Sequence, residues 1–301
     1  MKILITGANG LLGQKLVSIL GDSKHSILAS GQGDCRILNL PENVSYRPCN
    51  VTNEEEVKQT WKDFQPDAVI HTAAMTNVDE CELNPEKCQV QNVIATQNVI
   101  YACEMVGAQL IHLSTDFIFD GSSGPYSEMD KPNPISIYGQ SKLDAETLVQ
   151  KASCPWSIVR TVLVYGIAPG LSRSNIILWV KASLEQGKEI QVVDDQFRTP
   201  TLAEDLATGC ILIAEKKAEG IFNISGKDFL TPYEMAIQTA DFFSLNKGLI
   251  KQATAATFTQ PAKRPPRTGF DISKAVQELG YNPHSFREGI EILATQFNQA
   301  V

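Results

Sequence analysis

The sequence predicts an α/β fold in which a doubly wound parallel sheet of the Rossmann type carries a smaller C-terminal lobe. Three observations indicate it. A short apolar run at residues 2–6 leads directly into a glycine-rich turn, apolar runs and helical patterns then alternate as far as Gly166, and beyond that point the alternation becomes irregular. Such alternation is typical of parallel sheets, because each crossover between parallel strands needs a long connection, usually a helix.

The predicted elements follow from the apolar periodicity. Strands are expected at residues 2–6, 26–30, 45–48, 68–72, 109–114 and 156–164. Helices are expected at 54–64, 84–106 and 141–152, and the first of these opens with the capping sequence Thr52-Asn53-Glu54-Glu55. Beyond Gly166 we expect a helix at 175–186, a strand at 190–193, a helix at 203–215 and a strand at 221–224 that returns to the main sheet.

The first strand ends in a loop that indicates a nucleotide site. Gly7, Gly10 and Gly13 follow this strand, and a helical pattern starts within the same segment. Glycine lets a backbone turn tightly and approach a pyrophosphate, and the first amides of the following helix then face the anion. The alternative is an ordinary strand-to-helix turn, which the position directly after a buried strand disfavours. Residues 1–166, with a returning segment at about 196–225, are the predicted nucleotide-binding domain, while 167–195 and 226–301 mainly form the second lobe.

Composition narrows the class of protein. The chain has 301 residues, 43% of them hydrophobic, which is enough for a large buried core. Its net charge of -8 argues against broad binding to nucleic acid or to anionic membranes. The odd number of cysteines, seven, lacks metal-ligand spacing, and no signal peptide or transmembrane run is visible. We therefore expect a cytoplasmic protein with reduced thiols and no metal, in which His71 and His112 are packed in buried strands.

A second motif points to hydride-transfer chemistry. Tyr138 and Lys142 are four residues apart, a spacing that on a helix puts both side chains on one face. A free tyrosine has a pKa of about 10, and a nearby ammonium lowers it toward neutrality. Ser114-Thr115-Asp116 precedes this pair and offers a threonine hydroxyl that can share the substrate oxygen. The alternative is that Tyr138 packs in the core and Lys142 is a surface cation. Asn92, on the long helix before the fifth strand, could support the active-site backbone through its amide.

Several ordered segments together resemble those of the extended short-chain dehydrogenases/reductases, and within them the dTDP-4-dehydrorhamnose reductase family. The resemblance runs nearly end to end. The segments that carry it are residues 7–13, His71-Thr72-Ala73-Ala74-Met75-Thr76-Asn77-Val78-Asp79, Ser114-Thr115-Asp116-Phe117-Ile118-Phe119-Asp120-Gly121, residues 138–142, Arg160-Thr161-Val162-Leu163-Val164-Tyr165-Gly166 and Arg198-Thr199-Pro200-Thr201.

The resemblance implies a reductase that acts on a nucleotide-linked 4-keto-6-deoxysugar, a step of dTDP-rhamnose biosynthesis. Hydride would come from a nicotinamide dinucleotide, and Tyr138 would give its proton to the substrate oxygen, with Thr115 orienting that oxygen. Lys142 would stabilise the phenolate and hold the nicotinamide ribose. The expected cofactor contacts near the first strand are Gly7, Asn9, Gly10, Leu11, Leu12 and Gly13, and further contacts come from Ala73, Ala74, Tyr138 and Lys142.

The end of the second strand bears on the choice of cofactor. A carboxylate there would bind ribose hydroxyls but repel a ribose phosphate, and the sequence has Ala29-Ser30-Gly31 instead. Ser30 can donate to a phosphate and Arg36 can neutralise one, although Asp34 lies close to both in the sequence. We therefore expect NADPH, with NADH as the alternative. Asn50 and Val51 resemble the pair that contacts adenine, with asparagine where aspartate is usual.

The substrate side departs from the family pattern. Leu163 stands where the family usually carries a tryptophan against the deoxysugar, so that contact is lost or made elsewhere. We expect Thr76, Asp116, Arg198 and Arg267 to contact the substrate. Three of these have an alternative interpretation: Asp116 as a structural turn residue, Arg198 as a surface residue beside Asp194 and Asp195, and the basic segment at 263–267 as a solvated loop.

Two other functions stay open at this point. The same fold resembles the regulatory β subunit of methionine adenosyltransferase, which would make the chain a catalytically silent NADP-binding subunit. A sugar-nucleotide epimerase is the other alternative. A dehydratase is disfavoured, because dehydratases resemble Thr-Asp-Glu where this chain has Thr115-Asp116-Phe117. A homodimer through surface helices is compatible with the apolar face of residues 84–106. The sequence leaves the sugar, the nucleotide base and the oligomeric state undetermined.

Overall fold

The computed structural model describes residues 1–171 and 175–299. Its strands are β1 Lys2–Thr6, β2 Ser26–Gly31, β3 Val44–Pro48, β4 Ala68–His71, β5 Gln109–Thr115, β6 Trp156–Thr161, β7 Val164–Tyr165, β8 Ile190–Val193, β9 Thr201–Leu202, β10 Gly220–Asn223 and β11 Ile250–Ala253. Seven of them form one sheet in the order β10-β6-β5-β4-β1-β2-β3, with every neighbouring pair parallel. The order reverses between β1 and β4, and ligands of such sheets bind at that point, beyond the carboxyl ends of the strands.

The helices are α1 Leu11–Leu20, α2 Glu54–Phe64, α3 Val78–Leu83, α4 Pro85–Gln89, α5 Ala95–Val106, α6 Ile137–Val149, α7 Ile176–Glu185, α8 Ala203–Lys216, α9 Pro232–Phe242 and α10 Phe286–Gln299. They cover both faces of the main sheet. Leu16 of α1 and Leu206 of α8 are buried in the core on one face, and Trp61 of α2 and Val99 of α5 are buried in the core on the other. The predicted doubly wound α/β class is therefore confirmed.

The second lobe is built from short elements. Helices α7 and α9 pack with the two-stranded parallel pair β8 and β11, and α10 packs on α9. Strand β10 lies at the edge of the main sheet beside β6, so the predicted return of this segment is confirmed. The chain returns once more near its C-terminal end, since Ala275, Leu279 and Tyr281 are buried in the core of the main sheet. Within the described ranges no helix is both long and apolar enough to cross a bilayer.

Three of the predicted elements differ from the observed ones by more than a shift of one residue at an end. The strand expected at 156–164 is broken, because Leu163 has a φ of 38°, which an extended strand cannot accommodate. The helix expected at 141–152 starts earlier, at Ile137, since the Ser136 side chain accepts a hydrogen bond from the Gly139 amide and caps it. The helix expected at 84–106 is interrupted by a π turn at Val90–Ile94 that contains Asn92. Such turns are frequent at functional sites.

Candidate active site

The glycine loop after β1 is shaped by close backbone contacts. Gly7 has a φ of 66°, and a Cβ atom there would lie 2.7 Å from both the Ala73 amide nitrogen and the Thr72 hydroxyl oxygen. A Cβ atom on Gly13 would lie 2.5 Å from the Gly7 carbonyl oxygen. Larger side chains would therefore push the loop away from β4 and from α1. These glycines are required by tight packing at the switch point of the sheet, which an ordinary turn would not demand.

The start of α1 fits an anionic group. Gly10 occupies the N-cap position and makes no side-chain cap, and the first turn, which begins with Leu11 and Leu12, carries no acidic residue. The first backbone amides of the helix are therefore left for another acceptor, and the helix dipole favours a negative one. This cradle fits the pyrophosphate of a dinucleotide.

Asn9 organises the loop that follows β2. Its amide nitrogen donates to the Asp34 carbonyl at 3.0 Å and to the Tyr46 hydroxyl at 3.0 Å, and its side-chain oxygen accepts from the Arg36 amide at 2.9 Å. The Arg36 side chain remains exposed at the edge of this loop. Asn9 thus has a structural role that the sequence did not reveal, because it fixes the segment that carries Arg36.

The remaining residues expected around the adenosine differ in their placement. Ser30 is only 1% exposed and lies near the Cys49 thiol inside the fold, so a role for its hydroxyl on a ribose phosphate has to be corrected. Asn50 lies at the carboxyl end of β3, where its side-chain oxygen accepts from Gln32 at 2.9 Å, and Val51 is buried behind it. Ala73 is half-buried beside Gly7 at the end of β4, and Ala74 follows it.

The segment that follows Thr115 packs tightly against the first turn of α6, which carries Tyr138. Thr115 ends β5, donates to the Asp116 carboxylate at 3.1 Å and accepts from the Phe117 amide at 3.2 Å. Tyr138, in the first turn of α6, is 8% exposed and packs edge-on against Phe117, with 5.7 Å between ring centroids. A Cβ atom on Gly139 would collide with the Phe117 carbonyl. Glycine at 139 therefore allows α6 to pack directly on the segment that follows Thr115.

Lys142 lies one turn after Tyr138 and is buried, with 3% of its surface exposed. Burial lowers the pKa of its ammonium to about 8, although the nearby Glu146 and Cys88 act in the opposite direction. Its Nζ atom is 3.3 Å from the Nε2 atom of His112 on β5. The alternative in which Lys142 is a surface cation is wrong.

The acidic residue after Thr115 is also buried. Asp116 is 3% exposed and accepts a hydrogen bond from the Thr268 hydroxyl, and its carboxylate is 3.7 Å from the Arg198 guanidinium. Burial raises the pKa of Asp116, while Arg198 and the two threonine hydroxyls oppose that shift. Asp116 therefore does more than form a turn, since it connects Thr115 with the second lobe.

The two interpretations of Arg198, as a substrate contact and as a surface residue, have to be revised. It is 5% exposed, so it is not the surface residue that one alternative described. Its guanidinium donates to the carbonyls of Phe197 at 2.7 Å and Pro265 at 2.7 Å, in addition to its contact with Asp116. Because these donors are used inside the protein, we reassign Arg198 from substrate binding to the support of Asp116.

The basic segment at 263–267 divides into two roles. Arg264 donates to the Asp79 carboxylate through two nitrogen atoms, at 3.1 and 2.7 Å, and so ties this segment to the region after β4 that also carries the exposed Thr76. Arg267 is exposed, and its guanidinium lies 4.6 Å from the centroid of Phe197 and 5.1 Å from that of Phe229. The segment is therefore anchored, with the Arg267 guanidinium lying over the two neighbouring rings of Phe197 and Phe229, whose centroids are 5.4 Å apart. Leu163 is exposed as well, at 42%.

Asn92 does support the site backbone. Its side-chain oxygen accepts from the Met75 amide at 2.7 Å, and its nitrogen donates to the Met75 carbonyl at 3.1 Å and to the Ser141 hydroxyl at 2.9 Å. The π turn thus joins the end of β4 to the helix of Tyr138 and Lys142.

Sequence reasoning missed Thr268 and the contact of His112 with Lys142, because neither has a local signal. All seven cysteines are free, and no cluster with the composition of a metal site occurs among the described residues.

Comparisons with known proteins agree with this geometry. Residues 1–299 match the family model described as RmlD substrate binding domain. A probable low-salt glycan biosynthesis reductase from Haloferax volcanii is 31% identical over 99% of both chains, and methionine adenosyltransferase 2 subunit beta from Xenopus laevis is 32% identical over 96% of this chain and 86% of its own length.

Solved structures give the same result. A dTDP-4-dehydrorhamnose reductase from Clostridium acetobutylicum superposes with a TM-score of 0.87 at 28% identity, over 99% of this chain and 100% of that one. The enzyme of that name from Bacillus anthracis, solved in complex with NADP, superposes with a TM-score of 0.84 at 28% identity, over 98% and 99% of the two chains. The chain therefore belongs to the dTDP-4-dehydrorhamnose reductase (RmlD) family of the extended short-chain dehydrogenases/reductases.

Proposed function

We propose that this protein is an NADPH-dependent reductase of a nucleotide-linked 4-keto-6-deoxysugar. The observation that carries the proposal is the juxtaposition of Thr115, Tyr138 and a buried Lys142 where β5 and α6 meet, at the same edge of the sheet as the glycine loop. Family membership supports the same reaction class. These residue types in this arrangement are suited to proton transfer to a carbonyl oxygen as it gains charge.

The residues present fit a nicotinamide dinucleotide. Gly7, Gly10 and the first amides of α1 would hold its pyrophosphate, and Arg36 would neutralise a 2′-phosphate. When bound, the cofactor supplies the hydride. A relative solved with NADP supports the dinucleotide, and the exposed Arg36 together with the absence of an acid at the end of β2 supports NADPH over NADH.

The protein's own side chains transfer one proton to the substrate. Tyr138 donates its phenolic proton to the substrate oxygen, and Lys142 stabilises the phenolate that remains. Thr115 holds the same oxygen by a hydrogen bond. Because Asp116 already accepts the Thr115 proton in the structure, binding of a carbonyl requires the hydroxyl to turn from Asp116 toward the substrate. Arg198 and Thr268 keep Asp116 in place during this exchange.

On the substrate side we assign the diphosphate to Arg267 and a second polar contact to Thr76. Arg267 is exposed, and its guanidinium lies over the neighbouring rings of Phe197 and Phe229. Guanidinium groups bind phosphate through two parallel hydrogen bonds. Leu163 offers an apolar surface to the deoxysugar in place of an aromatic ring.

The regulatory alternative draws support from the relatives named methionine adenosyltransferase 2 subunit beta. A silent subunit has no need of a buried ammonium beside a tyrosine, since burial of that charge costs stability. An epimerase would use the same tyrosine without net consumption of the cofactor. The presence of all three proposed catalytic residues therefore favours an enzyme over a silent subunit. The amount of cofactor consumed per sugar converted then distinguishes a reductase from an epimerase.

The test is NADPH oxidation, followed by absorbance, with purified 4-keto-6-deoxysugars linked to dTDP, UDP and GDP. We expect one mole of NADPH consumed per mole of sugar with at least one of these nucleotides, and a lower rate with NADH. Binding of NADPH without oxidation by any of the sugars would reject the reductase, and interconversion of sugars without net oxidation would identify an epimerase.

A further inference from the structure

A row of buried polar side chains crosses the main sheet beneath the site. Thr6 on β1, His71 on β4 and His112 on β5 are register neighbours, and each is 1% exposed. The Thr6 hydroxyl is 2.7 Å from the Nδ1 atom of His71, and the two imidazole rings have their centroids 5.5 Å apart. Lys142 follows next to His112, so the row runs from the strand that precedes the glycine loop to the catalytic ammonium.

The two histidines differ in what they contact. The ring of His71 contacts the hydroxyls of Thr6 and Thr96, whereas the Nε2 atom of His112 is 3.3 Å from Lys142 Nζ. Burial, followed by the charge of Lys142 and by His71, lowers the pKa of His112 well below its ordinary value. This shift favours the neutral imidazole. Because an ammonium can only donate, its contact with Nε2 requires the tautomer that carries the proton on Nδ1, which is buried without a hydrogen-bond partner among the described residues.

We propose that His112 is a positioning residue for Lys142: its Nε2 atom accepts one N–H of the ammonium and thereby directs the other two toward the phenol and the cofactor. This rests on the function proposed above. An ammonium has three donors on a flexible stem, and in a buried site each unfilled donor costs free energy. Within the described ranges His112 is the hydrogen-bond partner of the Lys142 side chain. One fixed acceptor on a central strand is enough to orient such a group.

The other groups around Lys142 act at longer range and do not fix its direction. Glu146 lies on the same helix, but its carboxylate is bound by the Arg160 guanidinium at 3.0 and 2.8 Å. The Cys88 thiol of α4 donates to the Ser141 hydroxyl at 3.3 Å, and only its deprotonated form would raise the pKa of Lys142. His71 faces His112 from β4. A neutral acceptor at 112 thus supplies the contact that these groups do not.

The test compares His112→Leu with His71→Leu, a matched control at the neighbouring buried position. Lysine side-chain ¹³Cε resonances, with Lys142 assigned through Lys142→Arg, report its titration without substrate. We expect Lys142 to lose its proton at a lower pH in His112→Leu than in the wild type, the alkaline limb of the kcat profile to move the same way, and kcat at neutral pH to fall about tenfold. In His71→Leu the titration and the alkaline limb should stay in place, whatever happens to its stability.

A second pair of variants covers the case in which His112→Leu fails to fold. The amide oxygen of glutamine can reach the place of Nε2, while the shorter asparagine cannot, so His112→Gln should retain the wild-type titration and His112→Asn should lose it. An unchanged Lys142 titration in His112→Leu or His112→Asn, or an equal change in His71→Leu, overturns the proposal. A wild-type protein without turnover would defeat the proposed function and leave this titration experiment intact.

Discussion

The two sides of the site are built from different kinds of structure. On the sheet side, Thr115, Tyr138 and Lys142 are buried at the end of a central strand and in the first turns of a capped helix. On the lobe side, Leu163 and Arg267 are exposed on connections next to two-residue strands and isolated bridges. In the proposed function, the regular scaffold thus carries the chemistry, while substrate recognition would depend on segments that can change without disturbing that scaffold.

The largest effect should come from removal of the phenolic proton. Tyr138→Phe keeps the ring that packs against Phe117 and deletes the hydroxyl that the proposed mechanism uses to protonate the carbonyl oxygen. We expect kcat to fall by about 10²–10⁴-fold, the range of a general acid, with NADPH binding nearly unchanged. Steady-state NADPH oxidation and a fluorescence titration of NADPH measure the two quantities. Full activity in this variant would remove Tyr138 from its assigned role.

On the sheet side, a buried ion pair joins β6 to α6, and its removal should destabilise the protein. Arg160 and Glu146 are 2% and 0% exposed and make two hydrogen bonds. Arg160→Met leaves a buried carboxylate unpaired, so we expect the free energy of unfolding to fall by about 3–5 kcal/mol in urea titrations. The control is Arg47→Met, which breaks the exposed pair with Asp63 and should cost about 0–1 kcal/mol. Equal effects would contradict the contrast between buried and exposed regions.

Burial of the Lys142 ammonium should lower the free energy of unfolding of the protein. Since burial lowers its pKa from 10.5 to about 8, the unfolded chain binds more protons than the folded one between those values. Stability should therefore rise with pH across this window in the wild type, and the burial penalty is at its full value below about pH 8. We expect Lys142→Met to be inactive, to be more stable at neutral pH by on the order of 1–3 kcal/mol, and to lack this rise. Urea titrations at several pH values check the sign.

The lobe side should respond more weakly. Arg267→Ala removes the guanidinium held by Phe197 and Phe229, and we expect KM for the nucleotide sugar to rise about tenfold with kcat nearly unchanged, because the lost contact is equal in ground and transition states. Steady-state rates measured on one enzyme preparation at increasing concentrations of the nucleotide sugar give kcat and KM separately. A fall in kcat alone would place Arg267 in the chemical step.

The smallest effect is expected at the cofactor phosphate. Arg36→Ala should lower the preference for NADPH over NADH by about three- to tenfold, since an exposed ion pair contributes little on its own. The ratio of kcat/KM for the two cofactors measures this preference. Gln32→Ala, which removes the neighbouring bond to Asn50, serves as the control and should leave the ratio unchanged.

The sheet side was predictable because its signals are local. Apolar periodicity predicts the strand before Gly7. Motif chemistry gives a meaning to the spacing of the glycines and to the spacing of Tyr138 and Lys142. The start of α6 was misplaced, although Ser136 and Gly139 form a readable cap, because Gly139 in a helical pattern reads as a breaker. Its real reason is the contact with Phe117, which only the folded chain shows.

The lobe side was harder to predict because its contacts join distant parts of the chain. Arg198 carries the signature of a phosphate ligand, yet its partners are the carbonyls of Phe197 and Pro265 and the carboxylate of Asp116. Thr268 reaches Asp116 from 152 positions away. Ser30 likewise reads as a polar strand end, but the pleat turns its hydroxyl inward. No periodicity reports such pairings.

The most direct measurement of the central claim is deuterium transfer. NADPH labelled with deuterium at the transferable C4 position is incubated with the nucleotide 4-keto-6-deoxysugar that is turned over, and the product is examined by mass spectrometry and NMR. We predict one deuterium on the former carbonyl carbon, in step with NADPH consumed, and appearance of this labelled product about 10²–10⁴-fold more slowly in Tyr138→Phe. A product without deuterium at that carbon, or bound NADPH that is never consumed, would contradict the reductase.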